Sequence, residues 1–174
     1  LMGAGAWSLL LPDTRLGGVR AKLPFVGWVL AFVGTLAGYG LYGAAAVAGS
    51  LGDAFDPAVW GRIDGTQTGR MTLVRVLLLA LLGVLLAVLL RRPSARSVMW
   101  WRQTAVALSI GALVTLPAAG HPSATSPRAL YVLLDAVHLV GIVLWMGGLV
   151  LFAAGRKGWL EHADVEPVAR TFSR

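Results

Sequence analysis

Two ionisable side chains, Asp135 and His138, stand three positions apart inside the apolar run LYVLLDAVHLVGIVLWMGGLVLFAA, residues 130–154. At about 100° per residue that spacing puts both on one face of a helix. A charged side chain such as aspartate near a bilayer centre costs about 2.5–3.5 kcal/mol on insertion scales, so it calls for a partner or a function. Imidazole binds copper, zinc, iron and nickel, and carboxylate adds a harder donor. Asp135 can alternatively stand behind the imidazole and fix its tautomer. The stripe continues to Trp145 and Met146, displaced from Asp135 by about −80° and +20°, and a thioether selects Cu(I). His121, in the sequence Gly120-His121-Pro122, precedes the run and is the third candidate ligand. His162 is read as solvated.

Two plainer readings stand beside the metal. An intramembrane histidine also serves as a hydrogen-bond partner between helices. Arg75, within an earlier apolar run, is a candidate counter-ion for Asp135. That pair predicts that Arg75→Ala costs more alone than together with Asp135→Ala.

The chain that carries these groups has 174 residues, 57% apolar and 13% charged, against about 25% charged in an average soluble domain. With a mean hydropathy of +0.74 it reads as an integral membrane protein. The net charge of +7 does not point to nucleic acid, because the basic residues lie between apolar runs and form no patch with interleaved aromatics. The absence of cysteine excludes disulfides, thiolate zinc sites and iron–sulfur clusters. No nucleophile elbow, P-loop or HExxH motif is present, which argues against a hydrolase.

The apolar runs predict an all-α membrane protein, an antiparallel bundle of four complete spans at about 24–50, 71–90, 100–119 and 130–154. Residues 1–11 read as part of a truncated N-terminal helix, and 1–174 as one transmembrane domain from a longer protein. Pro24 is expected at the start of the first complete span. Segments 12–23, 91–102 and 155–174 hold 11 of the 15 basic residues. The positive-inside rule therefore places those segments and the C-terminus in the cytoplasm, with 51–70 and 120–129 outside. Asp135 and His138 then lie ~8–13 Å into an inward-running helix, near the outer surface and near His121. Gly34 and Gly38 form a small-xxx-small pattern that lets helices approach, extended by Gly40, Gly43, Gly147 and Gly148. Tyr39 and Tyr42 read as interface anchors.

The pattern Gly120-His121, Asp135-Ala-Val-His138 and Leu144-Trp145-Met146-Gly147-Gly148-Leu149 resembles the copper resistance D (CopD-like) membrane domain. Thr68-Gly69-Arg70 with Val74-Arg75, and Phe172-Ser173-Arg174, resemble flanking parts of that family's pattern. The resemblance covers about 66–174 well and the first span mainly in hydropathy. It implies copper transport, in the direction of uptake, across the bacterial cytoplasmic membrane, by a non-enzymatic protein. It makes His121 and His138 the copper ligands, with Asp135 in support. It also implies a partner, either a small periplasmic copper-binding protein or a fused domain.

His138 to Leu149 is also similar to the helix of a membrane protoporphyrinogen oxidase. A haem-binding oxidoreductase, with His138 as an axial ligand, is therefore the alternative. A membrane anchor without chemistry is the third reading, and it needs no polar stripe.

Overall fold

The computed structural model describes residues 17–92, 94, 98–120, 124 and 126–161, with side chains described among residues 24–150. Every regular element among them is helical: α1 (Gly17–Ala46), a 3-10 turn (Leu51–Phe55), α2 (Pro57–Ile63), α3 (Gln67–Arg91), α4 (Met99–Ala119) and α5 (Arg128–Glu161). Three of them are long and apolar enough to cross a membrane, over Pro24–Ala46, Gln67–Arg91 and Arg128–Val150. The expected second to fourth spans are present as α3, α4 and α5, but α4 falls outside that set. It opens on Trp100, Trp101, Arg102 and Gln103 and closes on Pro117, which shortens its apolar stretch. Residues 1–11, expected as a partial helix, lie outside the described residues.

The chain divides into two compact units, one of residues 1–27 and 141–174, the other of Trp28–Val140. The first is described only as helix, over 17–27 and 141–161, which belong to α1 and α5. Its Pro24 lies inside α1 and not at its start. A proline there removes one backbone hydrogen bond, a loss that membrane helices tolerate when the freed carbonyl finds another partner.

In the second unit α3 and α4 pack antiparallel. Leu79 and Trp101 are fully buried, and the Trp101 indole donates to the Leu85 carbonyl at 3.3 Å. Trp28 of α1 reaches the same helix, donating from Nε1 to the Leu79 carbonyl at 2.7 Å. Gly83 makes room for it: a Cβ at that position would stand 2.5 Å from Cζ2 of the Trp28 ring.

The connection from α1 to α3 folds back as a cap. Ser50 and Asp53 form a capping box on the 3-10 turn, with Asp53 Oδ2 accepting from the Ser50 amide at 2.6 Å. Asp56 caps α2 through the Ala58 amide at 2.8 Å, with Pro57 at the first helical position. Thr66 caps α3 through the Gly69 amide at 2.9 Å. The cap rests on α1 where glycines admit it. A Cβ on Gly40 would strike the Ala54 carbonyl, and one on Gly43 would come within 3.0 Å of Val59. Gly34 and Gly38, the pair expected to mediate close approach, have nothing within 4 Å. The close contacts are at Gly40 and Gly43, two and five residues beyond Gly38.

Candidate metal centre

α5 carries Asp135 and His138. Ala136 between them is buried, 5% exposed. His138 follows two residues later, about 200° round, and is exposed; Asp135 sits about 100° to the flank and is half-buried. The two side chains are one turn apart on the surface of α5, and no hydrogen bond joins them among the described residues. Trp145 and Met146, further along α5, are also exposed, at 67% and 46%. His121 lies outside the described residues.

The acidic residues of the cap hold the fold. Asp53 and Asp56 cap helices, as above, and Asp64 accepts a hydrogen bond from the Tyr39 hydroxyl. Tyr39, expected as an interface anchor, is instead buried in this contact, with its ring edge-on to Trp60 at 6.0 Å. Trp60 ties the cap together by donating to the Ala54 carbonyl at 2.9 Å. Tyr42 is exposed, as an anchor requires.

Arg75 has a different partner from the one expected. Its Nε donates to the Thr115 hydroxyl of α4 at 2.7 Å, and Thr115 donates in turn to the Ala112 carbonyl at 2.6 Å. Among the described residues no carboxylate lies within ion-pair distance of Arg75. Two further side chains of α3 reach the end of α4: Gln67 Nε2 donates to the Ala118 carbonyl and Thr68 Oγ1 to that of Ala119, each at 3.1 Å. These carbonyls belong to the last turn of α4, where no intrahelical donor follows. Sequence reasoning missed this seam, although the polar Gln67-Thr68 pair at the head of an apolar run was a visible signal.

The described residues therefore offer one half-exposed pair of metal-type ligands. They hold no group of three or more His, Cys, Asp or Glu side chains placed to bind one ion. A carboxylate and an imidazole one turn apart can bind a borderline transition metal, and such an ion takes further donors.

Comparison with protein families adds the decisive observation: the family described as "Copper resistance protein D-like, N-terminal domain" matches residues 1–127. The chain belongs to the copper resistance protein D-like family. Membership ties it to copper-related membrane function. The match takes in α1 to α4 and the cap, and ends one residue before α5 begins at Arg128. Residues 66–127 of the expected resemblance fall within it. Asp135, His138 and the Trp145–Leu149 stretch lie beyond it. No curated protein and no solved structure matches the chain.

Proposed function

We propose that the chain is the membrane part of a copper transporter of the bacterial cytoplasmic membrane, working in the direction of uptake. The family match over residues 1–127 carries this reading. The Asp135–His138 pair in an apolar span supplies its chemistry. In the proposed topology the four runs at 24–50, 71–90, 100–119 and 130–154 all cross, after a partial first helix. The basic segments 12–23, 91–102 and 155–174 then lie in the cytoplasm. Copper arrives at His121, passes to the His138 imidazole with Asp135 fixing its tautomer or joining as a ligand, and leaves along the line of Trp145 and Met146. Copper here is cargo, so its donors must bind and release it, and a small set of exchangeable ligands suits that better than a closed cage. A periplasmic copper-binding protein or a fused domain delivers the ion.

The test is bound copper together with the optical spectrum, on purified protein, for wild type and His138→Ala. Copper in the wild type, lost in the variant, with no Soret band, is the expected result. A Soret band that depends on His138 would replace this reading with the haem oxidoreductase. Neither signal in folded protein would remove α5 from the site.

A further inference from the structure

The connection between α1 and α3 does not stand clear of the membrane. α1 is apolar enough to cross over Pro24–Ala46, 23 residues, which is about 34 Å of helix against about 30 Å of hydrocarbon. Past Ala46 the chain turns back along the side of the same helix. The Gly49 amide donates to the Ala44 carbonyl at 2.9 Å, and the Ala54 carbonyl lies against Gly40, so residues 49–54 descend along the last two turns of α1. Val59 and Ile63 lie against Gly43, and Asp64 meets the Tyr39 hydroxyl. Gly40 is six residues short of Ala46, about 9 Å down the helix. With α1 centred in the bilayer, that level is about 7 Å inside the hydrocarbon boundary. A typical tilt of about 20° changes the figure by less than about 1 Å.

On this descending stretch stand the two most exposed large apolar side chains among the described residues, Phe55 at 83% and Leu51 at 77%. Ala54, Val59 and Ile63, which meet α1, are buried. We infer that the cap is seated in the membrane interface, with Leu51 and Phe55 inserted among lipid acyl chains beside α1. Depth decides the occupant. Leu41 and Tyr42 of α1 are exposed at the same level, so the apolar surface of the cap continues the lipid-facing surface of a span. A protein arriving from water would have to displace lipid to reach it. An irregular segment at this depth must satisfy its own polar groups, and the cap does so in large part. Asp53 accepts from the Ser50 amide, Asp56 from the Ala58 amide, and the Ala54 carbonyl from the Trp60 indole. Tyr42 and Trp60 are side chains of the kind that gather where headgroups meet acyl chains. Amphipathic elements lying in an interface bury their apolar side by about 5–10 Å, which is the depth that the contacts with Gly40 and Gly43 impose. Residues 49–66 are then an interfacial element of the bilayer and not a free loop in water. This holds whichever ion or molecule the protein handles.

The chain has no cysteine, so a single introduced cysteine carries a nitroxide label without background. Leu51→Cys and Phe55→Cys report on the cap, and Leu36→Cys, exposed near the middle of the α1 span, is the reference inside the bilayer. Each variant of the full chain is labelled and reconstituted in vesicles of phosphatidylethanolamine and phosphatidylglycerol. Collision of the label with oxygen, which partitions into acyl chains, is compared with collision with a water-soluble nickel chelate, and the ratio gives the depth. The expected result is a depth of about 5–10 Å below the headgroup boundary at both cap positions, with Leu36→Cys deeper. A label at either cap position as open to nickel as free label in buffer, with Leu36→Cys still shielded, would overturn the inference and leave that side chain to a partner in water. Low collision with both reagents at the cap would also overturn it, because protein would then cover the pair, and a second copy is the only protein present. Nickel access at Leu36→Cys equal to that at the cap would remove α1 from the membrane and the cap with it.

Discussion

Arg75 and Thr115 join α3 to α4 through a hydrogen bond of 2.7 Å from Nε to Oγ1. Arg75 lies on α3, which is long and apolar enough to cross a membrane, and Thr115 is buried, so neither group has water as a ready substitute. Bonds to a charged group contribute about 1.5–3 kcal/mol, and stranding the charged partner costs more than removing both. Thr115→Val should therefore lower stability by about 2 kcal/mol, and Thr115→Val with Arg75→Met by less than the sum of the single changes. Unfolding in detergent measures the cycle. Additive losses would show that the bond is not coupled. In the same assay Arg75→Ala and Asp135→Ala should add, because these two residues do not pair.

Gly69 and Gly40 are positions where a side chain cannot be added. A Cβ on Gly69 would run into the Ile63 carbonyl, and one on Gly40 into that of Ala54; in both cases the obstacle is backbone and cannot rotate aside. Gly69→Ala and Gly40→Ala should each destabilise by about 1–3 kcal/mol. Gly34→Ala and Gly38→Ala, in open space, should be neutral or stabilising by up to about 1 kcal/mol through helix propensity. The ranking of the four melting temperatures decides the point. A drop at Gly34 equal to that at Gly40 would contradict the packing described.

Tyr39 and Asp64 should act as one unit. Tyr39→Phe and Asp64→Asn each weaken the same contact, and because Asp64 is exposed the loss should be modest, about 1 kcal/mol. Its location is more informative than its size. Hydrogen exchange should accelerate over residues 50–66 in both variants, and in the double variant no more than in either alone. Unchanged exchange there would mean that the cap stays on α1 by other contacts.

Trp28 and Gly83 form a matched pair. Gly83→Ala should cost about 1–3 kcal/mol because the new methyl overlaps the indole. Adding Trp28→Phe should recover part of that loss, because the smaller ring retreats from the contact. Thermal unfolding of the two variants tests it; no recovery would place the strain elsewhere.

The same residues show what the sequence made legible. Runs of apolar residues mark α3, α4 and α5 because a membrane span demands length and composition, which are plain in one dimension. The direction each helix faces was much less visible. A helix that is apolar nearly all round has no strong amphipathic face, so nothing in residues 130–154 announced that Ala136 would be buried and His138 exposed. The same limit explains the glycines: Gly34 and Gly38 have the spacing of a contact motif, but the cap meets α1 at Gly40 and Gly43. Arg75 pointed to Asp135 because charge seeks charge, and spacing cannot reveal a threonine forty positions away. α2 was missed because seven residues are too few for a periodic signal, although Asp56-Pro57 is a good helix start.

The cap over residues 49–66 has a thermodynamic consequence. Its turns are capped by Asp53, Asp56 and Thr66, and Tyr39 and Trp60 bind it down. A loose connection of this length would have to order itself around an arriving ion or protein, and ordering costs about 1–2 kcal/mol of backbone entropy per residue. Here that freedom is already lost when the chain folds. A partner meeting this end of the molecule encounters a preorganised rim, and the encounter should carry little of the entropic signature of coupled folding and binding.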